Sequence, residues 1–80
     1  MITEEKLRST YHRIEDLKIV RAEKWKRWHV LNDLEQRTKD EGKEMQQVSS
    51  TITSLTYEIR GLQIAFKEMS EQFILQVVGG

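Results

Sequence analysis

The stretch from residue 45 to residue 73 reads MQQVSSTITSLTYEIRGLQIAFKEMSEQF, and its apolar residues recur at alternating steps of three and four. This spacing places them on one side of an α-helix, as the seam of a coiled coil requires. The seam residues are Met45, Val48, Ile52, Leu55, Ile59, Leu62, Phe66, Met69 and Phe73. A seven-residue repeat of this kind predicts a left-handed packed pair or bundle of helices.

The first half of the chain carries a second, less regular apolar stripe. Its members are Leu7, Tyr11, Ile14, Leu17, Trp28, Leu31 and Leu34. Thr3 is a predicted N-cap, because Glu4 and Glu5 follow it and acidic residues suit the first helical turn. The chain has no proline, and Gly42 stands between the halves as a natural residue for a helix end. We therefore expect a helix over about 3–41, a turn near 42 and a helix over about 44–78.

Two helices of about 36 residues each, joined by one turn, make an antiparallel helical hairpin. The fold class is therefore all-α, with residues 1–80 as a single helical-hairpin domain. The positions beside the second seam carry mostly small neutral side chains, with Glu58 as the charged exception: Ser49, Thr56, Gln63 and Ser70 on one side, and Thr51, Ala65 and Gln72 on the other. Such flanks are typical of helices covered on several sides, and a chain of 80 residues buries only a modest core alone. We expect the hairpin to assemble into a helical-bundle oligomer, a homodimer or larger.

Composition excludes several functional classes. Thirteen Lys and Arg balance thirteen Asp and Glu, so the whole chain has no strong field to attract nucleic acid. Cysteine is absent, and no apolar run approaches the roughly 20 residues of a membrane span. The expected location is the cytoplasm, or the host cytoplasm for a phage protein, with neither a membrane partner nor a cofactor.

Catalysis has little support in the sequence. His12 and His29 are the only histidines, and they are too far apart to bind one metal ion from a single helical face. Gly61 is isolated, so no glycine-rich phosphate loop is present. We predict that the protein is not an enzyme and has neither catalytic nor metal-binding residues.

A basic and aromatic segment, KIVRAEKWKRWH from Lys18 to His29, interrupts the first stripe. It holds five cationic residues against one acidic residue, and Arg21 and Lys24 occupy positions where the seam would continue. A turn near Gly42 would place Arg21 opposite Leu62 and Gln63, and Lys24 opposite Ile59 and Arg60. Gly61 would lie between these two sets of facing residues, and a glycine there indicates that another group approaches closely.

These residues predict a ligand pocket. Its edge would carry Arg21, Lys24 and Arg60, with Trp25, Trp28 and Tyr57 nearby. Guanidinium and ammonium groups bind phosphate oxygens, and aromatic rings stack on bases, so the pocket would suit a nucleotide. The alternative is that Arg21 and Lys24 extend into water while their alkyl chains cover the tryptophans.

Tyr11 and Lys26 stand fifteen residues apart, and Leu62-Gln63-Ile64-Ala65-Phe66 follows in the second half. In these features the chain resembles the small phage anti-CBASS sponge proteins, all-helical oligomers that sequester cyclic nucleotide signals without cleaving them. The resemblance implies that Tyr11 stacks on a base and that Lys26 binds phosphate. The chain departs from that family between His12 and Trp25, where it is continuous charged helix.

Two functional hypotheses follow. The first is a phage anti-defence sponge that binds a nucleotide-derived immune signalling molecule through Tyr11, Arg21, Lys24, Trp25, Lys26, Trp28 and Arg60. The second is a structural or adaptor coiled-coil module, such as a phage assembly factor or inhibitor, that binds a protein partner through the same helices. Nucleic-acid binding through the basic segment is disfavoured by the acidic residues that surround it.

Overall fold

Two helices make up the part of the chain that the computed structural model describes, residues 1–79. They are α1, Glu4–Asn32, and α2, Lys39–Gly79, and this range contains no strand. The helices run antiparallel, since the backbone of Ile2 exchanges two hydrogen bonds of 2.9 Å with the side-chain amide of Gln76. The predicted all-helical class is confirmed, and the two helices form the expected hairpin.

The core lies along the seam between the helices. Ile14 and Leu17 of α1 pack with Ile59 of α2, and Leu55, Leu62 and Phe66 are half-buried against this cluster. Leu31, Val48 and Ile52 are also buried and lie nearer the turn. Because a pair of helices has only one shared side, the remaining surface of each helix stays in water.

The first helix begins where the sequence predicts. Thr3 has an extended backbone, and its hydroxyl oxygen accepts a hydrogen bond of 3.1 Å from the Lys6 amide. This bond satisfies one of the free amides of the first turn, so the predicted N-cap is confirmed.

The turn lies at residues 33–38, and the predicted turn near 42 is wrong. The α2 N-terminus is fixed by a capping box, in which the Glu41 amide donates to the Thr38 hydroxyl at 3.1 Å and the Thr38 amide donates to the Glu41 carboxylate at 2.9 Å. At the other side of the turn, Arg37 donates to the Leu31 carbonyl at 3.2 Å. These contacts give hydrogen-bond partners to backbone groups at both helix ends without a glycine. Gly42 therefore lies inside the first turn of α2, where its amide donates to the Thr38 carbonyl at 2.9 Å.

The earlier turn changes which residues face each other. Arg21 reaches Thr56, with 3.4 Å between its guanidinium and the hydroxyl, and not Leu62 or Gln63. The shift is about seven residues, one heptad, so core positions still meet core positions. A Cβ atom added at Gly61 would meet nothing within 4 Å, so the predicted close approach at this glycine does not occur within the chain.

The hairpin is long and thin. Its Cα atoms span 63 × 14 × 14 Å, and its radius of gyration is 18.2 Å, whereas a compact chain of this length would have about 12 Å. The accessible surface is 6309 Å², against about 5,000 Å² expected for a compact monomer of this mass. Neither of the helices between residues 1 and 79 is long and apolar enough to cross a membrane.

Gly42→Ala tests the position of the turn. Gly42 has a negative φ and open space around the position of a Cβ atom, so alanine should stabilise α2 by about 0.5–1 kcal/mol through its higher helix propensity. The measurement is urea unfolding at a fixed protein concentration, followed by circular dichroism. A loss of stability would instead indicate the left-handed conformation of a helix C′ glycine and would contradict the observed turn.

Candidate functional site

The hairpin has two long faces, one on each side of the apolar seam, and they differ in chemistry. On α2, Glu44 and Glu58 directly precede seam residues, whereas Ser49 and Thr56 directly follow them. These two kinds of position lie on opposite sides of a heptad seam. We call the side of Glu44 and Glu58 the paired face and the side of Ser49 and Thr56 the open face.

The paired face is crossed by two interhelical ion pairs. Arg27 donates to Glu44 through two hydrogen bonds of 2.7 and 2.8 Å, and Arg13 donates to Glu58 at 3.1 Å. The bidentate contact lowers the pKa of the Glu44 carboxyl and raises that of the Arg27 guanidinium. All four side chains are exposed, so the pairs add little stability, but they show which residues of the two helices are opposite each other.

The open face contains a groove of about 320 Å³ between the helices. Two tryptophans of α1 form one wall, and a hydroxyl-rich side of α2 forms the other. The lining residues are Trp25, Trp28, Ser49, Ile52, Thr53, Thr56, Tyr57 and Arg60. The groove therefore combines aromatic rings, hydroxyl groups and one guanidinium.

The two indoles of the aromatic wall are backed by a third ring, that of His29, which lies outside the groove lining. The indoles of Trp25 and Trp28 meet edge to face with 5.5 Å between their centroids, and the His29 imidazole stacks on Trp25 at 5.7 Å. Trp25 is 42% exposed and Tyr57, across the groove, is 66% exposed. Partly exposed rings fixed by neighbouring rings are suited to stacking on a flat ligand.

The hydroxyl wall presents hydrogen-bond acceptors. Thr53 donates its hydroxyl proton to the Ser49 carbonyl at 3.1 Å, and Thr56 donates to the Ile52 carbonyl at 2.8 Å. Since each hydroxyl proton is used within the helix, each oxygen is left as an acceptor, and Thr56 already accepts one hydrogen bond from Arg21. This wall can accept hydrogen bonds from amino or imino groups of a ligand.

Positive charge reaches the groove from two arginines. Arg60 lines it and has no ion pair within residues 1–79. Arg21 lies at the edge, where it donates to the hydroxyl of Thr56. A guanidinium that has no carboxylate partner is available to bind an anion.

A second groove of about 570 Å³ continues the first toward the turn. The two share Trp28, Ser49 and Thr53, and the second extends to Gln46 and Arg37. Arg37 also donates to the Leu31 and Asn32 carbonyls at the end of α1. The open face thus has one guanidinium near each end of a hydroxyl-lined channel.

Four of the seven predicted site residues lie at the first groove. Trp25, Trp28 and Arg60 line it, and Arg21 adjoins it. The predicted pocket edge of Arg21, Lys24 and Arg60 is not formed, because Lys24 is exposed outside the lining. With the turn at residues 33–38, Lys24 no longer faces Arg60.

Tyr11 and Lys26 also lie outside the groove. The Tyr11 ring is 6.2 Å from that of Phe66, and Tyr11 is about 21 Å from Trp25 along α1. Lys26 is exposed on α1. The sequence did not predict Thr53 as a lining residue or Arg37 at the second groove. The hydroxyl residues between Ser49 and Thr56 were interpreted only as neutral residues beside the seam.

Comparison with known proteins identifies no relative of this chain. No protein-family model matches the chain, and neither a curated protein nor a solved structure is significantly similar to it. Within residues 1–79, no group of three or more histidine, cysteine, aspartate or glutamate side chains is arranged to bind a metal ion.

The capping box and the paired face make stability depend on pH. The pKa of Glu41 is lowered by hydrogen bonds from the backbone and side chain of Thr38, and that of Glu44 is lowered mainly by its hydrogen bond with Arg27. Their stabilising effect is therefore complete above the ordinary value of 4.5 and is lost as the pH falls through the lowered pKa values.

We expect the thermal midpoint to fall as the pH is lowered from about 7 to about 3. Glu44→Gln should lower the midpoint at neutral pH and reduce the fall in acid, because glutamine does not titrate. Glu35→Gln in the turn is the matched control and should leave the profile unchanged. Identical pH profiles for wild type and Glu44→Gln would show that this ion pair does not contribute.

Proposed function

We propose that the protein binds a nucleotide-derived signalling molecule in the groove of the open face and sequesters it without chemical change. The observation that carries the proposal is the placement of Trp25, Trp28 and Tyr57 around one groove with the unpaired guanidinium of Arg60. The volume of this groove, about 320 Å³, is in the range of small-molecule sites, and the neighbouring groove extends it.

The three chemical elements of the groove match three parts of a nucleotide. The exposed faces of Trp25 and Tyr57 stack on a base, and Arg60 binds a phosphate through paired N–H groups. The acceptor oxygens of Thr53 and Thr56 receive hydrogen bonds from amino groups on the base edge. A simple inorganic anion would use only the arginine, so the site favours a ligand that carries both a ring and a phosphate.

Sequestration follows from the composition of the groove. Of the side chains usual in acid–base catalysis, only the Tyr57 phenol lines the groove within residues 1–79, and no carboxylate, imidazole or lysine amine does. A protein that holds a signal tightly lowers its free concentration by mass action. A phage origin, an immune signal as the ligand and action in the host cytoplasm are part of the proposal and rest on the resemblance to sponge proteins.

The proposed sponge is an oligomer. The hairpin exposes roughly 1,300 Å² more surface than a compact monomer of its mass, and its seam is incompletely buried at Met45, Met69 and Phe73. Association into a helical bundle would cover part of this surface.

Isothermal titration against cyclic dinucleotides, cyclic trinucleotides and cyclic ADP-ribose isomers tests the proposal. We expect heat of binding with at least one class, and no change in the ligand after its recovery from the complex. An absence of heat with every ligand, at protein concentrations well above micromolar, would contradict the sponge hypothesis and favour a helical module that binds a protein partner.

Variants locate the site once a ligand is found. Trp25→Ala removes a stacking surface, and Arg60→Gln removes the phosphate-binding fork, so each should weaken binding by about tenfold or more. Arg8→Gln is the matched control, because Arg8 is exposed near the start of α1 and pairs only with Glu4. Equal affinities for Trp25→Ala, Arg60→Gln and the control would exclude this groove as the binding site.

A further inference from the structure

Arg21 lies at a seam position of α1 and has no carboxylate partner within residues 1–79. It is one heptad from both Ile14 and Trp28, and it is half-buried. The only hydrogen bond of its guanidinium in this range is the one to the Thr56 hydroxyl, at 3.4 Å. A polar residue at a seam position costs stability. Arg21 is therefore a cation whose hydrogen-bonding groups are mostly unused.

Arg60 of α2 is a second guanidinium at the same place. It lines the groove one helical turn after Thr56, and it belongs to no ion pair within residues 1–79. Along the hairpin, Arg21 lies on the turn side of Thr56 and Arg60 lies on the other side. Long side chains of an α-helix lean toward the N-terminus of their own helix. Because α1 and α2 are antiparallel, the two arginines lean toward each other and converge near Thr56.

The aromatic rings of the groove are arranged in the same way. Trp25 follows Arg21 by four residues on α1, and Tyr57 precedes Arg60 by three residues on α2. Residues three or four apart are neighbours on one side of a helix. Since the helices are antiparallel, each ring lies next to its arginine on the side nearer the hairpin turn. The groove thus has an aromatic part toward the turn and a cationic part beside it.

The charge of the cationic part is not cancelled by the carboxylates around it. Glu15, on the same side of α1, is paired with Lys18 at 3.5 Å, and Glu58 of α2 belongs to an ion pair of the paired face. Neither Arg21 nor Arg60 has such a partner within residues 1–79. A group that binds to both guanidiniums would therefore be matched by two negative charges.

We propose that Arg21 and Arg60 together bind one phosphoryl group of charge two, while the base of the ligand lies between Trp25 and Tyr57. A terminal phosphomonoester, with a charge of about −1.5 to −2 at pH 7, and a pyrophosphate both meet this description. A single phosphodiester carries only one negative charge and binds less tightly. This inference rests on the proposed function, because it assigns the charged part of the same ligand.

The spacing of the two parts fits this class of ligand. Neighbouring side chains one turn apart on a helix are separated by about 5–6 Å, and one ribose of comparable length separates a base from its 5′-phosphate. Each guanidinium offers paired N–H groups to two oxygens of a phosphate, and Arg21 keeps several N–H groups beside its bond to Thr56. The two phosphodiesters of a cyclic dinucleotide are held apart by its riboses, so only one of them would reach this pair.

Isothermal titration of the full chain with adenine compounds that differ in their phosphate tests the proposal. Adenosine monophosphate carries a terminal phosphomonoester, cyclic ADP-ribose carries a pyrophosphate, and 3′,5′-cyclic AMP carries one phosphodiester. We expect at least one of the two charge-two compounds to bind about tenfold or more tightly than 3′,5′-cyclic AMP. Comparison of the two with each other shows which phosphoryl group the pair recognises.

Variants of Arg21 connect this preference to the arginine pair. Arg21→Gln removes one guanidinium and should reduce the preference for charge two to within about threefold. Arg21→Leu should do the same and also raise the thermal midpoint, because leucine suits the seam position. Arg8→Gln is the matched control, since Arg8 is exposed and pairs only with Glu4, and it should keep the wild-type preference. Circular dichroism verifies that every variant keeps its helix content.

The outcomes separate this inference from the proposed function. If a cyclic dinucleotide or 3′,5′-cyclic AMP binds as tightly as both charge-two compounds, the arginine pair is overturned and sequestration stands. A preference that Arg21→Gln leaves unchanged would overturn the pair as well. Heat with inorganic pyrophosphate that is lost in Arg21→Gln, without heat from any nucleotide, would support the pair and contradict the proposed function. An absence of heat with every compound, at protein concentrations well above micromolar, would overturn both.

Discussion

Packing along one apolar seam between α1 and α2 is the interaction on which the rest of the structure depends. Ile14, Leu17 and Ile59 form one buried cluster of this seam, and Leu31, Val48 and Ile52 are buried nearer the turn. Most of the stability of a helix in a protein comes from packing of its apolar side, so each helix depends on the other. Because the seam occupies only one side of each helix, it also determines which side chains remain free to bind other molecules.

The heptad period predicted the helices and the seam but not their alignment. A slip of one heptad moves every core residue onto another core position, so apolar contacts alone hardly distinguish the two alignments. The start of α2 at the capping box distinguishes the two alignments. The capping box of Thr38 and Glu41 begins α2 before Gly42, and Arg27 meets Glu44 only with the shorter first helix. The sequence contains this Thr-x-x-Glu signal for a helix start, whereas the predicted turn rested on Gly42.

The candidate site was predicted only in part, because its composition also depends on how the two helices are aligned. Trp25 and Trp28 are close together in any alignment, because residues three apart share a helical side. Arg60 is brought to the same groove, whereas Lys24 is not, since its position opposite Arg60 was predicted from a turn near Gly42. The function of Tyr11 was inferred from a resemblance and not from packing. Which residues of two helices face each other is a tertiary property, and a single sequence constrains it weakly.

The two faces of the hairpin differ in whether their arginines are paired with carboxylates. Arginines on the paired face are bound to Glu44 and Glu58, so their charge is largely neutralised. On the open face no carboxylate within residues 1–79 pairs with Arg60, and the threonine hydroxyls give their protons to the backbone. An arginine can only donate hydrogen bonds, and a hydroxyl whose proton is used can only accept them. A ligand of the kind we propose would therefore place an anion at the guanidinium, a donor group at the hydroxyl oxygens and a flat ring between them.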